Sequence, residues 1–140
     1  MQISLDAASH SWDWVFQTGC ALAKENNKGY EFLLSSHNTV VPYESYSSHF
    51  GSVREKNFSP PNDANHYDTN HAEVELLIKA GDQKIDLDGT TLFINLLPCP
   101  SCAKMISRTK IKEIAYKHDH SDGYAFKLLT QSGKIVRRII

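Results

Sequence analysis

His71-Ala72-Glu73 and Pro98-Cys99-Pro100-Ser101-Cys102 are the two places in this sequence where residue type and spacing together suggest chemistry. Cys99 and Cys102 are three positions apart, so at the first turn of a helix both sulfurs lie on one side. The positive end of the helix dipole favours the thiolate that a metal ion needs. His71 adds an imidazole, the third natural zinc donor, and three protein donors leave zinc a fourth position for water. Glu73 is a carboxylate able to take a proton from that water. In mid-helix, residues two apart point to nearly opposite sides. His71 and Glu73 therefore serve one site only if they straddle a helix start, and Thr69 and Asn70 before them make such a start. Each motif alone stays ambiguous. A Cys-x-x-Cys pair also fits a redox couple, and a structural zinc site would need a fourth donor from Cys20, His66, His118 or His120. Glu73 alone reads as a first-turn acid that complements the helix dipole.

The elements that must carry these motifs follow from hydrophobic spacing. Residues 11–27 read as a first helix, capped by Ser11, with Trp12, Val15, Phe16, Cys20 and Ala23 as its apolar stripe and Asn26, Asn27 and Gly29 ending it. Tyr30 to Leu34 and Thr39 to Val41 read as a hairpin turning at Ser36-His37-Asn38. Residues 42–69 form a long polar stretch, a length that marks a functional, partly helical or disordered loop. Residues 71–80 predict a helix capped by Thr69 or Asn70 and ended by Gly81. The run from Thr90 to Leu97 predicts a buried central strand. Pro98 to Cys102 then leads into a helix through Ala103 to Ile106. Ile111 to Tyr116 reads as a strand, Tyr124 to Gln131 as a helix stopped by Gly133, and Lys134 to Ile140 as a last strand. Strands separated by helices are parallel neighbours. The expected fold is α/β, three layers with a five-stranded mixed sheet whose antiparallel hairpin comes first and whose last strands run parallel.

Bulk properties narrow the function class. A chain of 140 residues reads as one domain over 1–140, large enough to bury a core without staples. The formal net charge of −1 lacks the basic surplus of a typical nucleic-acid binder. No run approaches a membrane span and no secretory pattern follows Met1, so no membrane partner and a cytoplasmic setting are expected. Three cysteines, an odd count, agree with free or metal-bound thiols rather than a disulfide framework.

Taken together, His-x-Glu with a downstream Pro-Cys-x-x-Cys resembles the signature of zinc-dependent nucleobase deaminases. From Asn70 onward the sequence is similar to the cytidine and deoxycytidylate deaminase superfamily. The stretch Leu92 to Ile106, with its Pro-Cys-Pro-Ser-Cys-Ala-Lys string, looks most like the deoxycytidylate branch, and Ile111 to Tyr116 fits that branch's next strand. The resemblance implies zinc bound by His71, Cys99 and Cys102, with Glu73 as proton shuttle. It implies hydrolytic deamination of a cytosine-type nucleotide, dCMP to dUMP first, with release of ammonia. A helix between the last two strands is similar to the deoxycytidylate and tRNA-adenosine deaminases. The second strand departs from the branch: Val40-Val41-Pro42-Tyr43-Glu44 stands where a Gly-Tyr-Asn-Gly string is common.

The substrate side is read from single residues. Asn38 is a candidate ribose partner, Arg54 with Lys56 a candidate phosphate partner, and Ala72 and Pro98 flank the metal motifs. His118 and His120 follow a strand at the end where ligands bind in such sheets. Tyr46, Phe50, Phe58 and Tyr67 are candidate stacking partners for a base, with loop packing as the plain alternative. A small nucleotide or nucleoside is the expected partner, and the family resemblance implies a homo-oligomer. A deaminase acting on tRNA or single-stranded DNA is the second reading; the net charge and a last strand that runs to Ile140 weigh against it. Another small base or nucleoside remains open, and a non-catalytic zinc module is the third class.

Overall fold

The computed structural model describes residues 1–13, 16–51, 68–120 and 123–140. Its main sheet has five strands: β1 (Gly19–Asn26), β2 (Gly29–His37), β5 (Thr90–Leu96), β6 (Glu113–His118) and β7 (Ile135–Arg138), in the order β2-β1-β5-β6-β7. Strand β1 runs antiparallel to both β2 and β5, whereas β5, β6 and β7 run parallel. A separate two-stranded ladder pairs β3 (Thr39–Val40) with β4 (Thr69–Asn70). The helices are α1 (Gln2–Ala8), α2 (Tyr46–Phe50), α3 (Ala72–Asp82), α4 (Pro100–Ser107) and α5 (Tyr124–Gln131).

One sheet face carries Cys20, Leu22, Leu34, Leu92, Ile94, Ile114 and Tyr116, packed against Leu76 of α3, Ile106 of α4 and Leu129 of α5. Burying each of the larger aliphatic side chains contributes roughly 1.5–3 kcal/mol. The opposite face, with Ala21, Ala23, Phe93 and Ala115, is met by α1. A side chain at Gly19 would run into the α1 backbone at Ser4 and Ala8, so glycine there lets that helix lie close. These are the three layers expected from the sequence.

The N-terminal part differs from the sequence reading. The helix expected over 11–27 is absent: the helix is α1, and residues 19–26 form β1. Cys20-Ala21-Leu22-Ala23 are all buried because β1 lies between β2 and β5 with both faces covered. A strand buried on both sides loses its alternation, and its alanines then mimic a helical stripe. Trp12 and Phe16 are exposed; Trp14 and Val15 lie outside the described residues. The hairpin turns at Asn27-Lys28, not at 36–38. Gly29 takes a positive φ of 122° and Asn26 Oδ1 accepts the Lys28 amide at 2.8 Å, so the residues read as a helix stop make the turn instead. Thr39 and Val40 leave the main sheet to pair with Thr69 and Asn70, which delivers the chain to His71. Helix α3 is capped by His71 itself and runs through Gly81. Of the 42–69 stretch, α2 and β4 are described, and 52–67 lie outside the described residues. The remaining elements stand within a few residues of their expected limits.

Candidate active site

The two motifs meet at the carboxyl ends of the parallel strands, the usual ligand side of such a sheet. His71 is the N-cap of α3 with extended backbone, φ −68° and ψ 152°. That break from helical geometry lets His71 and Glu73 serve the same space. Ala72, Leu76 and Ala80 seat α3 on the sheet, and Glu73 is buried on the same side. Cys99 is the N-cap of α4, again extended at φ −64° and ψ 164°, and Pro100 follows in the first turn, where its missing N–H costs nothing. The Cys102 amide donates to Cys99 Sγ at 3.5 Å.

His71 Nδ1 lies 3.4 Å from each sulfur, and all three donor atoms lie within 4.8 Å of one another. Tetrahedral zinc with ordinary bond lengths sets nitrogen and sulfur donors about 3.6 Å apart, so this cluster is already close to that spacing. Hydrogen bonds inside the cluster shift the two thiols in opposite directions. The hydrogen bond from Cys102 pulls the Cys99 thiol down to about 3, and Cys102, as the partner that keeps the proton, is pushed far up. His71 is raised first by its hydrogen bond to Cys99. A dication held by these three atoms would keep both sulfurs as thiolates. Soft sulfur and borderline nitrogen donors fit zinc, and among the described residues no fourth His, Cys, Asp or Glu donor joins the group. Cys20 and His120 stand apart from it, and His66 lies outside the described residues. The donor geometry favours a metal site over the redox reading of the cysteine pair.

Glu73 is 3% exposed. Burial raises its carboxyl to about 6, partly offset by a hydrogen bond from its own backbone N–H and by the nearby His71. The Cys102 thiol also bonds it, so the carboxylate stands directly beside the metal donors.

A cavity of about 90 Å³ opens over this centre. It is lined by the site residues His71, Glu73 and Cys99, by Asp13, Phe16, Thr18, Asn38 and Thr69, and by Leu96, Leu97 and His120. Asn38 is in the wall, but its amide is engaged: Oδ1 accepts from the Thr18 amide at 2.8 Å, and Nδ2 donates to Phe16 O at 2.7 Å and Asp13 Oδ2 at 3.1 Å. His118 does not line the cavity. It is exposed at the end of β6, where its carbonyl accepts the Leu97 amide at 2.8 Å, and His120 reaches the cavity in its place. Ala72 and Pro98 are fully buried and do not line the cavity. Tyr46 and Phe50 pack with Tyr43 and His49 in an aromatic cluster that does not line it either. Arg54, Lys56, Phe58 and Tyr67 lie outside the described residues. Asp13, Phe16, Thr18, Thr69, Leu96 and Leu97 were not read from the sequence as site residues; the first three fell inside the expected helix, Phe16 as part of its apolar stripe, and Thr69 was read as a helix cap.

Residues 1–118 match the model of the cytidine and deoxycytidylate deaminase zinc-binding region. The chain belongs to this family. Within it, a probable deoxycytidylate deaminase of Drosophila melanogaster is 31% identical over 139 residues, covering 96% of this chain and 63% of that protein. The deoxycytidylate deaminase of Enterobacteria phage T4 is 37% identical over 46 residues, 33% of this chain. The chain thus spans 24% of the phage protein and 63% of the Drosophila one. The dCMP deaminase of cyanophage S-TIM5, solved in complex with dCMP and dUMP, superposes with a TM-score of 0.72 at 19% identity, over 99% of this chain and 92% of that one. At that identity the superposition establishes the shared fold. Family and donor set together assign zinc as the metal of this centre. Among the described residues, no helix is long and apolar enough to cross a membrane.

Proposed function

We propose that this chain deaminates a cytosine-type nucleotide, dCMP first, giving dUMP and ammonia. The observation that carries the reading is the convergence of His71 Nδ1, two sulfurs and the buried Glu73 carboxylate under one cavity. His71, Cys99 and Cys102 would hold zinc, which when bound supplies Lewis acidity and makes water nucleophilic near neutral pH. Glu73 is the proton carrier. Its carboxylate takes a proton from the attacking water and delivers it to the ring nitrogen. A second proton passes through the same oxygens to the departing amine, so water enters and ammonia leaves. A carboxyl raised to about 6 by burial suits both halves of that shuttle. Phe16, Leu96 and Leu97 supply apolar walls for a planar base.

The dCMP assignment is supported by the named activity of the relatives and by the dCMP-bound cyanophage enzyme. Arg54 is the phosphate partner this reading names. Oligomer formation, which the family implies, belongs to the same proposal and is read by light scattering. Glu73→Gln should keep one zinc per chain and lose about 10³-fold or more in turnover, measured as ammonia release. A variant that still deaminates near the parent rate removes Glu73 from the mechanism. A panel of dCMP, deoxycytidine, CMP, dCTP, cytidine, cytosine, guanine and a tRNA anticodon hairpin tests the substrate; turnover of the hairpin alone overturns the nucleotide reading.

A further inference from the structure

Two polar side chains stand in the apolar layer beneath α3. Cys20 and Ser36 are register partners across β1 and β2, so both project from the same sheet face. Their neighbours Leu22, Leu34, Leu92 and Ile94 are aliphatic. Cys20 is 0% and Ser36 2% exposed. A hydroxyl and a thiol in such a place are costly unless bonded. Both address one acceptor: Ser36 Oγ donates to the Ala72 carbonyl at 2.7 Å, and Cys20 Sγ lies 3.2 Å from that oxygen and 3.1 Å from Ser36 Oγ. Burial holds the Cys20 thiol well above the ordinary thiol range, so it stays a neutral donor.

The Ala72 carbonyl and the Glu73 N–H are the two ends of one trans peptide group, and they point in opposite directions. Fixing the oxygen against the sheet fixes the N–H as well, and with it the backbone that carries the Glu73 side chain at the start of α3.

We propose that Ser36, backed by Cys20, is a positioning residue for proton transfer: it locks the Ala72–Glu73 peptide so that the Glu73 carboxylate keeps one orientation beside the metal donors. The proposal rests on Glu73 as proton carrier. The competing role is a plain anchor of α3 to the sheet.

The experiment uses the zinc-loaded full chain with Ser36→Ala, Ser36→Cys and Cys20→Ala, each also combined with Glu73→Gln. Ser36→Ala should lower kcat about tenfold, with KM within twofold and one zinc per chain retained. Ser36→Cys, which keeps a weaker donor in place, should lose less; it carries the test alone if Ser36→Ala does not fold. Cys20→Ala should have the smallest effect. In the Glu73→Gln background Ser36→Ala should leave the residual rate unchanged, because the residue it positions is gone. Amide hydrogen exchange over residues 72–76 should quicken in Ser36→Ala. Unchanged kcat, an equal loss in both backgrounds, zinc loss in parallel with activity, or unaltered exchange each overturns the proposal. An active Glu73→Gln instead overturns the proton-carrier reading, whatever Ser36→Ala does.

Discussion

The cavity has two walls built in different ways. On the metal side, every donor comes from a helix start and stands within three residues of its partner in the motif, His71 with Glu73 and Cys99 with Cys102. Elsewhere in the lining, residues 11–13 and 16–18 are clasped from remote positions. Asn38 bonds Asp13, Phe16 and Thr18. Asn95 Oδ1 accepts the Gly19 amide at 3.0 Å, and its Nδ2 donates to Gln17 O at 2.9 Å. Ser11 Oγ donates to Asn38 O at 3.0 Å, and Thr69 Oγ1 to Asp13 Oδ2 at 3.3 Å. The metal wall is local in sequence and needs only that two helices begin at the same strand ends. The loop wall exists only after the sheet has formed, because its clasps reach across as many as 78 residues. The metal donors are thus set by short motifs and the shape of the cavity by long-range hydrogen bonds.

Substitutions on the two walls should therefore fail differently. Cys99→Ala removes a metal donor, a helix cap and the acceptor for both His71 and the Cys102 amide. It should give the largest effect: zinc falls well below one per chain by elemental analysis, and ammonia release is lost. A Cys99→Ala protein that still binds zinc stoichiometrically breaks the local account of the metal wall. Asn38→Ala leaves the Thr18 amide and the Phe16 carbonyl without their partner and should cost about 1–3 kcal/mol in denaturant unfolding. With the loop wall loosened, KM should rise about tenfold, a change worth about 1.4 kcal/mol, while zinc content stays the same. A lower kcat at constant KM would place Asn38 with the chemistry instead. Asn95→Ala is the mildest, about 0.5–1.5 kcal/mol of stability. Its partners Gln17 and Gly19 do not line the cavity, so KM should stay within twofold. Equal KM effects from the two asparagines would mean that the loop moves as one rigid piece.

The same contrast explains what was legible beforehand. From Ala72 to Arg138 the helices and strands alternate with clear spacing and clear stops, and the reading of each element there stands to within a few residues. The segment 11–26 was misread because Cys20-Ala21-Leu22-Ala23 is buried on both faces, and nothing within the segment says that strands flank it on both sides. That error hid Asp13, Phe16 and Thr18 as residues of the cavity lining. Asn38 looked like a free hydrogen-bonding group, yet its amide is engaged by a loop 20 residues away. His118 and His120 were equivalent on paper; the end of β6 turns one outward and the other into the cavity.

By itself the sequence determined the donor set, the carboxylate beside it and the two helix starts that present them, because residue type and a spacing of two or three positions are local properties of the chain. Only the tertiary structure decided that His71 meets the cysteines, that β1 rather than a helix lies behind the site, and that Ser36 and Cys20 grip the peptide carrying Glu73. Those are contacts between segments far apart in sequence. They depend on sheet order and register, which arise when the whole core packs and which no short window of residues encodes.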